Sequence, residues 1–257
     1  MCGIIGMIGQ TREDKWVQTH RILSHLLLAA EIRGRDATGF VAHSQSLERN
    51  GPRRTIIAKE AVPASKFVEA NPIWRSLKNR RCSAVVAHVR LATHGDPSDP
   101  RNNHPFVSSG LALVHNGVIS HYQDLVDRYC LKVDSECDSE VLLRIVERSK
   151  TVSIGLSLCL LERPGAIVIY DEHRDVCWLA HDDSRPLWVG RMRNDRRIWF
   201  ASTSGILIDG VQNALQTAVS WEMLMPLAAN HIFRASASGS IAAVFEDPVR
   251  PKSRSGQ

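Results

Sequence analysis

The chain begins Met1-Cys2-Gly3, and the cysteine directly behind the initiator methionine constrains this sequence more than any other feature. If Met1 is removed, Cys2 carries a thiol and a free α-amine, so a nucleophile and a general base lie within a few bonds of each other. An α-amine has a pKa of about 7.7–8.0 and a thiol one of about 8.5, so the amine can accept the thiol proton near neutral pH. Cys2 is therefore the predicted nucleophile. The alternative is a small buried apolar residue, which is a common role for cysteine.

The residues after Cys2 predict a buried strand followed by a helix. Gly3 to Gly9 form a short apolar run with three glycines, which is typical of a buried strand that another part of the molecule approaches closely. Apolar side chains then recur at the spacing of one buried helix face, and this pattern predicts a helix over 15–32.

The rest of the chain shows alternating blocks of strand and helix signals. Further strands are predicted at 39–44, 54–60, 82–90, 111–115, 165–171, 175–181, 186–190, 196–201, 230–234 and 239–246. Further helices are predicted at 64–70, 73–79, 120–129, 138–149, 153–162 and 203–216. Consecutive strands separated by blocks of helix favour antiparallel sheets covered by helices, which is an α+β fold.

Length and composition predict a single large domain with a short tail. At 257 residues and 44% hydrophobic content, the chain can bury a substantial core, and we expect one domain over 2–245. Residues 246–257 are polar and basic, which predicts disorder. The six cysteines form no C-x-x-C pair, and the sequence has neither a secretory signal nor an apolar run long enough to span a membrane. These features predict a cytoplasmic protein with reduced thiols.

The basic character of the chain has a simple explanation. Its net charge of +5 comes partly from arginines at 191–197 and from the tail. The first group flanks Asn194-Asp195, a typical hairpin turn, and lacks interleaved aromatic residues. We expect a solvated loop here rather than a nucleic-acid surface.

A metal site is a rival interpretation for the histidines. His88, His94, His104 and His115 lie close in sequence, but their spacing fits no compact zinc pattern. We therefore expect neither a metal nor another cofactor.

Two clusters contain arginines at positions where loops are expected. In residues 33–39, a helix C-cap and turn explain the glycines but leave Arg33 and Asp36 unexplained. In residues 87–95, Arg90 ends an apolar strand, where its guanidinium can grip a carboxylate through two charge-assisted hydrogen bonds. The alternative for Arg90 is a surface ion pair. We favour a pocket wall, because so polar a segment directly follows a buried strand.

Two further clusters each allow two interpretations. Asn116-Gly117 follows an apolar run, and Asn-Gly is a strong hairpin signal. The Asn116 amide beside the Gly117 N–H also supplies two donors converging on one point, as a developing oxyanion requires. Asp138 opens a helix with a buried apolar stripe, so it is favoured as an N-cap worth about 1 kcal/mol. A carboxylate there is also suited to bind a substrate ammonium.

Taken together and in this order, five motifs resemble those of the class II glutamine amidotransferases. They are Cys2-Gly3-Ile4, Arg33-Gly34-Arg35-Asp36-Ala37-Thr38-Gly39, Arg90-Leu91-Ala92-Thr93-His94-Gly95, His115-Asn116-Gly117 and Asp138-Ser139-Glu140. The sequence is most similar to the glutaminase domain of glucosamine-6-phosphate synthase, from residue 2 to about 235, and the similarity includes Arg185-Pro186-Leu187 and Phe200-Ala201-Ser202. The resemblance implies an N-terminal nucleophile hydrolase fold, a four-layer αββα sandwich of two antiparallel sheets.

The resemblance also implies roles for individual residues. Cys2 would attack the side-chain amide of L-glutamine and form a thioester, and Asn116 with the Gly117 N–H would hold the oxyanion. Arg90 would bind the α-carboxylate of glutamine and Asp138 its α-ammonium. Thr93 and His94 would line the pocket, and Arg33 would support the turn of the nucleophile. Ammonia would be handed on to an acceptor on a separate synthase subunit; since no synthase domain accompanies this sequence, we expect the acceptor domain to be a separate protein or absent.

Two positions depart from the family pattern. Leu91 stands where the glucosamine-6-phosphate synthase pattern has tryptophan, and Arg35 stands where tyrosine is usual. Gating of the site and its coupling to an acceptor would differ accordingly. Besides an active stand-alone glutaminase, two hypotheses remain open at this point: a non-catalytic module that senses glutamine, and an N-terminal nucleophile amidase that acts on another amide.

Overall fold

A computed structural model describes residues 1–44, 54–148 and 165–245 of the chain. The strands are β1 (Gly3–Ile8), β2 (Ala37–Ser44), β3 (Thr55–Glu60), β4 (Cys82–Arg90), β5 (Phe106–Ser108), β6 (Leu111–Asn116), β7 (Ala166–Asp171), β8 (Val176–His181), β9 (Trp188–Met192), β10 (Ile198–Ala201), β11 (Trp221–Pro226), β12 (Ile232–Ser236) and β13 (Ile241–Phe245). The α-helices are α1 (Glu13–Ala30), α2 (Ala64–Ala70), α3 (Pro72–Ser76), α4 (Tyr122–Tyr129), α5 (Asp138–Arg148) and α6 (Ser204–Leu215).

The described strands form two antiparallel sheets. The first has seven strands in the order β11-β9-β10-β1-β4-β2-β3, and the second has six in the order β13-β12-β8-β7-β6-β5. β1 lies near the centre of the first sheet, paired on one side with β4 and on the other with β10. The residue that precedes β1 therefore sits at a sheet end flanked by the end of β4 and the loop that follows β10.

Alternating side chains of the first sheet belong to two different apolar cores. Ile5 and Met7 of β1 pack with α1, α2, α3 and α6 in one core. Ile4 and Ile8, which point to the opposite face, pack in a second core that includes Val114 of β6 and residues of β7 and β8. Because successive strand residues face opposite sides, a strand buried between a helix layer and a second sheet must be apolar on both faces.

A third core covers the outer face of the second sheet. Leu113 of β6 and Ile169 of β7 pack there against the apolar stripe of α5, which includes Val141 and Ile145. The layers are thus helices, sheet, sheet and helices, so the predicted four-layer αββα sandwich is confirmed. None of the helices in the described ranges has the length and hydropathy needed to cross a membrane.

Most predicted elements are present, with some differences. The predicted first helix spans Glu13–Ala30 and continues as a short 3-10 turn over Glu31–Arg33. Two strands, β5 and β11, were not predicted. The helix predicted at 73–79 is divided into α3 and the 3-10 turn Leu77–Asn79. The helix predicted at 153–162 and the tail at 246–257 lie outside the described residues.

Two turn predictions had opposite outcomes. The turn at Asn194 connects the antiparallel neighbours β9 and β10, as predicted. The hairpin interpretation of Asn116-Gly117 is wrong, because β6 ends at Asn116 and the chain runs on to α4, while β6 pairs instead with β5 and β7. The sequence after Gly117 turns into a helix, so no second strand follows directly to close a hairpin.

Candidate active site

Cys2 lies directly before β1 and contacts the end of β4. Its Sγ is 3.4 Å from both the main-chain nitrogen and the carbonyl oxygen of Leu91. Its own carbonyl oxygen accepts a hydrogen bond of 2.8 Å from Nε of Arg33, which lies in the 3-10 turn after α1. Two segments distant in sequence thus fix the main chain and the thiol of Cys2.

Opposing effects act on the pKa of the Cys2 thiol. Burial raises this pKa, whereas the backbone hydrogen bond with Leu91 and the positive charges of Arg90 and Arg33 lower it. The net effect is a raised pKa. A thiol in this state benefits from a base close by, and an α-amine on the same residue would supply one.

Arg90 is the last residue of β4 and is only 3% exposed. Its Nη1 donates a 2.7 Å hydrogen bond to Oδ1 of Asn103, and its Nη2 donates to the carbonyl oxygens of His94 and Gly95. All these acceptors are neutral, and no carboxylate forms an ion pair with Arg90 among the described residues. The alternative of a surface ion pair at Arg90 does not fit this arrangement.

The loop after Arg90 carries the other residues predicted to line the site. Thr93 is exposed and His94 half-buried, and the His94 ring lies edge-on to Tyr122 at a centroid distance of 5.9 Å. Leu91, one of the two positions that depart from the expected pattern, is 45% exposed and faces solvent.

The segment after α1 is tied to the same loop. Oδ2 of Asp36 accepts a 2.7 Å hydrogen bond from the main-chain nitrogen of Ala92, and the Asp36 nitrogen donates to the carbonyl oxygen of Arg90 at 2.9 Å. Arg35, in contrast, is exposed and pairs with Glu31 on the surface at 3.1 Å. Asp36 is therefore explained by support of the loop, and Arg35 points away from it.

Asn116 approaches β1 from the second sheet. It is 2% exposed, and its Nδ2 donates a 2.8 Å hydrogen bond to Oγ of Ser202, which in turn accepts the N–H of Ile4 at 2.8 Å. Gly117 follows Asn116 and is half-buried. One hydroxyl group therefore links Asn116 to the strand that begins immediately after Cys2.

Asp138 is the first residue of α5 and is 2% exposed. Its Oδ2 accepts a 2.6 Å hydrogen bond from the main-chain nitrogen of Ile119, two residues after Gly117. Its other contacts are the thiol of Cys137 and the hydroxyl of Ser139. No cation pairs with this carboxylate in the described part of the chain. The hydrogen bond to Asp138 comes from the loop at Ile119 rather than from the N–H groups of α5, so a simple N-cap does not account for the side chain.

Three buried histidines, His88, His104 and His115, lie beside the site, and His115 is on the outer face of β6, where its Nδ1 is 2.8 Å from Oγ of Ser139 in α5. The ring centroids of His88 and His104 are 4.2 Å apart, and those of His104 and His115 are 6.5 Å apart. Burial lowers the pKa of His88 to about 3 and holds that of His104 well below its ordinary value. Within residues 1–44, 54–148 and 165–245, no three side chains of His, Cys, Asp or Glu are grouped so as to hold a metal ion.

Direct hydrogen bonds join Arg33 to Cys2 and Arg90 to His94, whereas Asp138 is bonded to Ile119 on the side of Asn116 and Gly117. Cys2 touches Leu91 beside Arg90, while Ser202 joins Asn116 to Ile4. The sequence did not predict that Ser202 bonds both Asn116 and Ile4. Ser202 appeared there only as part of Phe200-Ala201-Ser202, a segment similar to the family. The available signal was a polar residue at the end of an apolar strand, the same signal that singled out Arg90.

A family model described as a glutamine amidotransferase domain matches residues 67–245. The isomerizing glutamine–fructose-6-phosphate aminotransferase of Wigglesworthia glossinidia brevipalpis is 32% identical over 204 residues, and that of Bacillus subtilis (strain 168) is 35% identical over 205 residues. Each similarity covers 74% of this chain and 30% of the relative. The chain thus spans about a third of the length of the curated relatives it matches.

Solved structures show the same fold. A glutamine phosphoribosylpyrophosphate amidotransferase from B. subtilis, complexed with ADP and GMP, superposes with a TM-score of 0.70 at 19% identity, over 95% of this chain and 49% of the other. A structure described as the allosteric regulatory enzyme of purine biosynthesis superposes with a TM-score of 0.70 at 20% identity, over 95% and 48% of the two chains. At this level of identity, the likeness establishes the shared fold.

Proposed function

The chain belongs to the class II glutamine amidotransferases, and from this premise we propose that it hydrolyses the side-chain amide of L-glutamine to glutamate and ammonia, with Cys2 as the nucleophile. The observation that carries the proposal is a pair of buried, oppositely charged groups. Arg90 and Asp138 are 3% and 2% exposed, and neither has an ion-pair partner among the described residues.

Burial of an unpaired charge is costly unless a partner compensates for it. A free amino acid carries one carboxylate and one ammonium on its head group, so it supplies a partner for each of these two residues. The planar guanidinium of Arg90 suits a carboxylate, which it can bind through two parallel hydrogen bonds. This pairing selects an α-amino acid over an amide that lacks such a head group. Thr93, His94 and Arg33 are proposed as pocket and supporting residues on the geometry described above.

The reaction requires that Met1 is removed, so that Cys2 carries the α-amine. Sγ then bonds to the amide carbon of glutamine while the α-amine accepts the thiol proton. The protonated amine returns this proton to the departing nitrogen as the C–N bond breaks, which releases ammonia and leaves a thioester. Water next adds to the thioester carbon, and its proton passes through the amine to Sγ as the C–S bond breaks. The products are glutamate and free Cys2.

Both tetrahedral intermediates place a negative charge on the former amide oxygen. We assign the stabilisation of this oxyanion to the side-chain amide of Asn116 and the N–H of Gly117. Removal of one such donor typically costs 10²- to 10³-fold in kcat. Because Asn116-Gly117 does not form a hairpin turn, a hairpin does not account for these two residues. Their role as oxyanion donors is consistent with this.

We further propose that the chain acts as a stand-alone glutaminase subunit and that its ammonia is used by an acceptor on a partner synthase. The relatives named above are aminotransferases that act with glutamine and fructose-6-phosphate, and the present chain matches only about a third of their length. Copurification from native extracts, followed by mass spectrometry, tests this part. Recovery of the chain with no synthase in stoichiometric amount, under conditions that preserve activity, would argue against it.

Intact mass and ammonia release test the central proposal. Native protein should lack the mass of Met1 and release ammonia from glutamine, and Cys2→Ala should abolish this release. The matched control is Cys130→Ala, since Cys130 is a free thiol exposed on the surface. Equal rates for the native protein and Cys2→Ala would refute the mechanism, as would a retained Met1 in active material.

Two further measurements separate the alternatives. Calorimetric binding of glutamine with no turnover would favour a sensing module. In a hydrolase specific for glutamine, Arg90→Ala raises KM for glutamine strongly. The variant does not hydrolyse substrates without an α-carboxylate faster than the native protein does. If Arg90→Ala spares such substrates and native protein prefers them, the chain is an amidase of another specificity.

A further inference from the structure

Ser202 lies directly after β10 and is completely buried. Its main chain and side chain both bind Ile4: the Ser202 nitrogen donates to the Ile4 carbonyl oxygen at 3.0 Å, and the Ile4 nitrogen donates to Ser202 Oγ at 2.8 Å. The same Oγ accepts a 2.8 Å hydrogen bond from Nδ2 of Asn116. Ser202 thus fixes the start of β1, the strand that directly follows Cys2. It also contacts the side chain of Asn116.

This hydroxyl is a bridge between the two sheets. Ile4 and Ser202 belong to the seven-stranded sheet and its loop, whereas Asn116 ends β6 of the six-stranded sheet. The position of Asn116 relative to Cys2 depends on how the two sheets meet. A hydrogen bond across that boundary sets this position more tightly than apolar packing, which is non-directional.

The side-chain amide of Asn116 also faces the His88 ring, and this contact raises the His88 pKa against the larger effect of burial, which lowers it. Oδ1 of Asn116 is buried, and no hydrogen bond of ordinary geometry reaches it from the described residues. The Nδ2 group carries two protons, of which Ser202 engages one. With that proton directed at Ser202 Oγ, the planar amide is held in one orientation and its second N–H has a fixed direction.

We propose that Ser202 is a positioning residue that aims the free N–H of Asn116 at the oxyanion. The proposal deepens the function assigned above and rests on it. Catalysis by an oxyanion hole depends on donors that are already oriented before the charge develops, because a donor that must first rotate loses part of its effect. Ser202 touches neither substrate nor nucleophile in this role; it acts through Asn116.

The fit favours serine at this site. Alanine would remove the oxygen that accepts hydrogen bonds from the Ile4 N–H and from Nδ2 of Asn116. Threonine would add a methyl group at a fully buried position. Cysteine keeps a small side chain with a sulfur atom, which is a weak acceptor. Ser202→Ala and Ser202→Cys therefore form a graded pair for a test, and the second retains a group that approaches the same two donors.

A double-mutant cycle with Asn116 distinguishes positioning from general support of the fold. Kinetics of ammonia release are measured for the native protein, Ser202→Ala, Asn116→Ala and the double variant, with melting curves to establish that each is folded. We expect Ser202→Ala to lower kcat about 10- to 100-fold with KM changed less than about threefold, and Ser202→Cys to give an intermediate kcat. In the Asn116→Ala background, Ser202→Ala should lower kcat by less than about threefold, because the group it orients is gone.

The outcomes separate this proposal from the one it rests on. If Ser202→Ala lowers kcat by the same factor in both backgrounds, or raises KM without a change in kcat, the positioning role is wrong although the enzyme remains a glutaminase. If Ser202→Ala does not fold, the same comparison is made with Ser202→Cys, and a native kcat for that variant would refute the role. Native protein that binds glutamine and releases no ammonia would instead overturn the proposed function itself.

Discussion

His88 lies on β4, and its ring projects into the space between the two sheets. It is 1% exposed, and its Nε2 is 3.0 Å from the carbonyl oxygen of His115. The groups that face it are His104, His115, Arg90 and Asn116. Burial is the main cause that lowers the pKa of His88 to about 3, and the positive charge of Arg90 acts in the same direction.

This shift makes the protein sensitive to acid. In the unfolded chain a histidine has a pKa of about 6.5, so between about pH 6.5 and pH 3 the unfolded state binds a proton that the folded state does not. Neutral His88 therefore costs the folded state no stability above about pH 6.5. As the pH falls from there towards about 3, the free energy of unfolding decreases. At pH 5, His88 alone lowers the free energy of unfolding by about 2 kcal/mol relative to neutral pH. His104, whose pKa is also lowered, adds to the loss.

Replacement of His88 by glutamine tests this reasoning. A glutamine side chain can donate to the His115 carbonyl oxygen but does not titrate. His88→Gln should therefore lose about 2 kcal/mol less than native protein between pH 7.5 and pH 5, measured by urea denaturation with tryptophan fluorescence. His173→Gln, at an exposed histidine, serves as the control and should keep the native pH dependence. An unchanged pH dependence in His88→Gln would show that His88 is not the buried neutral base described here.

Three substitutions test the packing around the site. In Gly6→Ala, the new Cβ would lie 2.4 Å from the carbonyl oxygen of Val85, so urea denaturation should show a loss of about 2–3 kcal/mol, and a native midpoint would contradict the close approach. In Gly34→Ala, the Cβ would lie 2.4 Å from the Arg90 carbonyl carbon and displace the main chain at Arg90. Ammonia release should fall at least about tenfold while the protein remains folded. Full activity would show that the position of Arg90 does not depend on Gly34. Leu113→Ala removes a fully buried side chain and should cost about 2–5 kcal/mol in unfolding free energy without change in KM, so a loss below about 1 kcal/mol would indicate a loosely packed third core.

The candidate site was predictable to the extent that chemistry follows residue type. A cysteine at the second position, a guanidinium at a strand end and a carboxylate at a helix start are unusual enough to be singled out one at a time. Their order along the chain carried the family resemblance, which the match over residues 67–245 confirms. The role of each residue stays a prediction, and the kinetic experiments above test it.

Local patterns were less successful where tertiary context decides the outcome. β11 has partly exposed residues and a shift of register against β9, so its alternation is weak. β5 has three residues, too few for any periodicity. Asn116-Gly117 has the composition of a hairpin turn, yet β6 pairs with the preceding strand β5 and with β7, which begins only at Ala166. A turn motif indicates that the chain can reverse direction at that point. It does not indicate which strand will pair with the strand before the turn.

By itself, the sequence determined the elements and the reactive groups. The strongly buried strands β1 and β4, the apolar face of α1 and the positions of Cys2, Arg90 and Asp138 are all readable as composition or periodicity. Only the tertiary structure decided which of these ends meet. The pairing of β1 with both β4 and β10 places the thiol of Cys2 against Leu91, and the packing of the two sheets brings Asn116 to Ser202. The physical reason is that periodicity reflects which side of an element is buried, whereas the distance between two side chains on different strands depends on register and sheet contact over the whole domain.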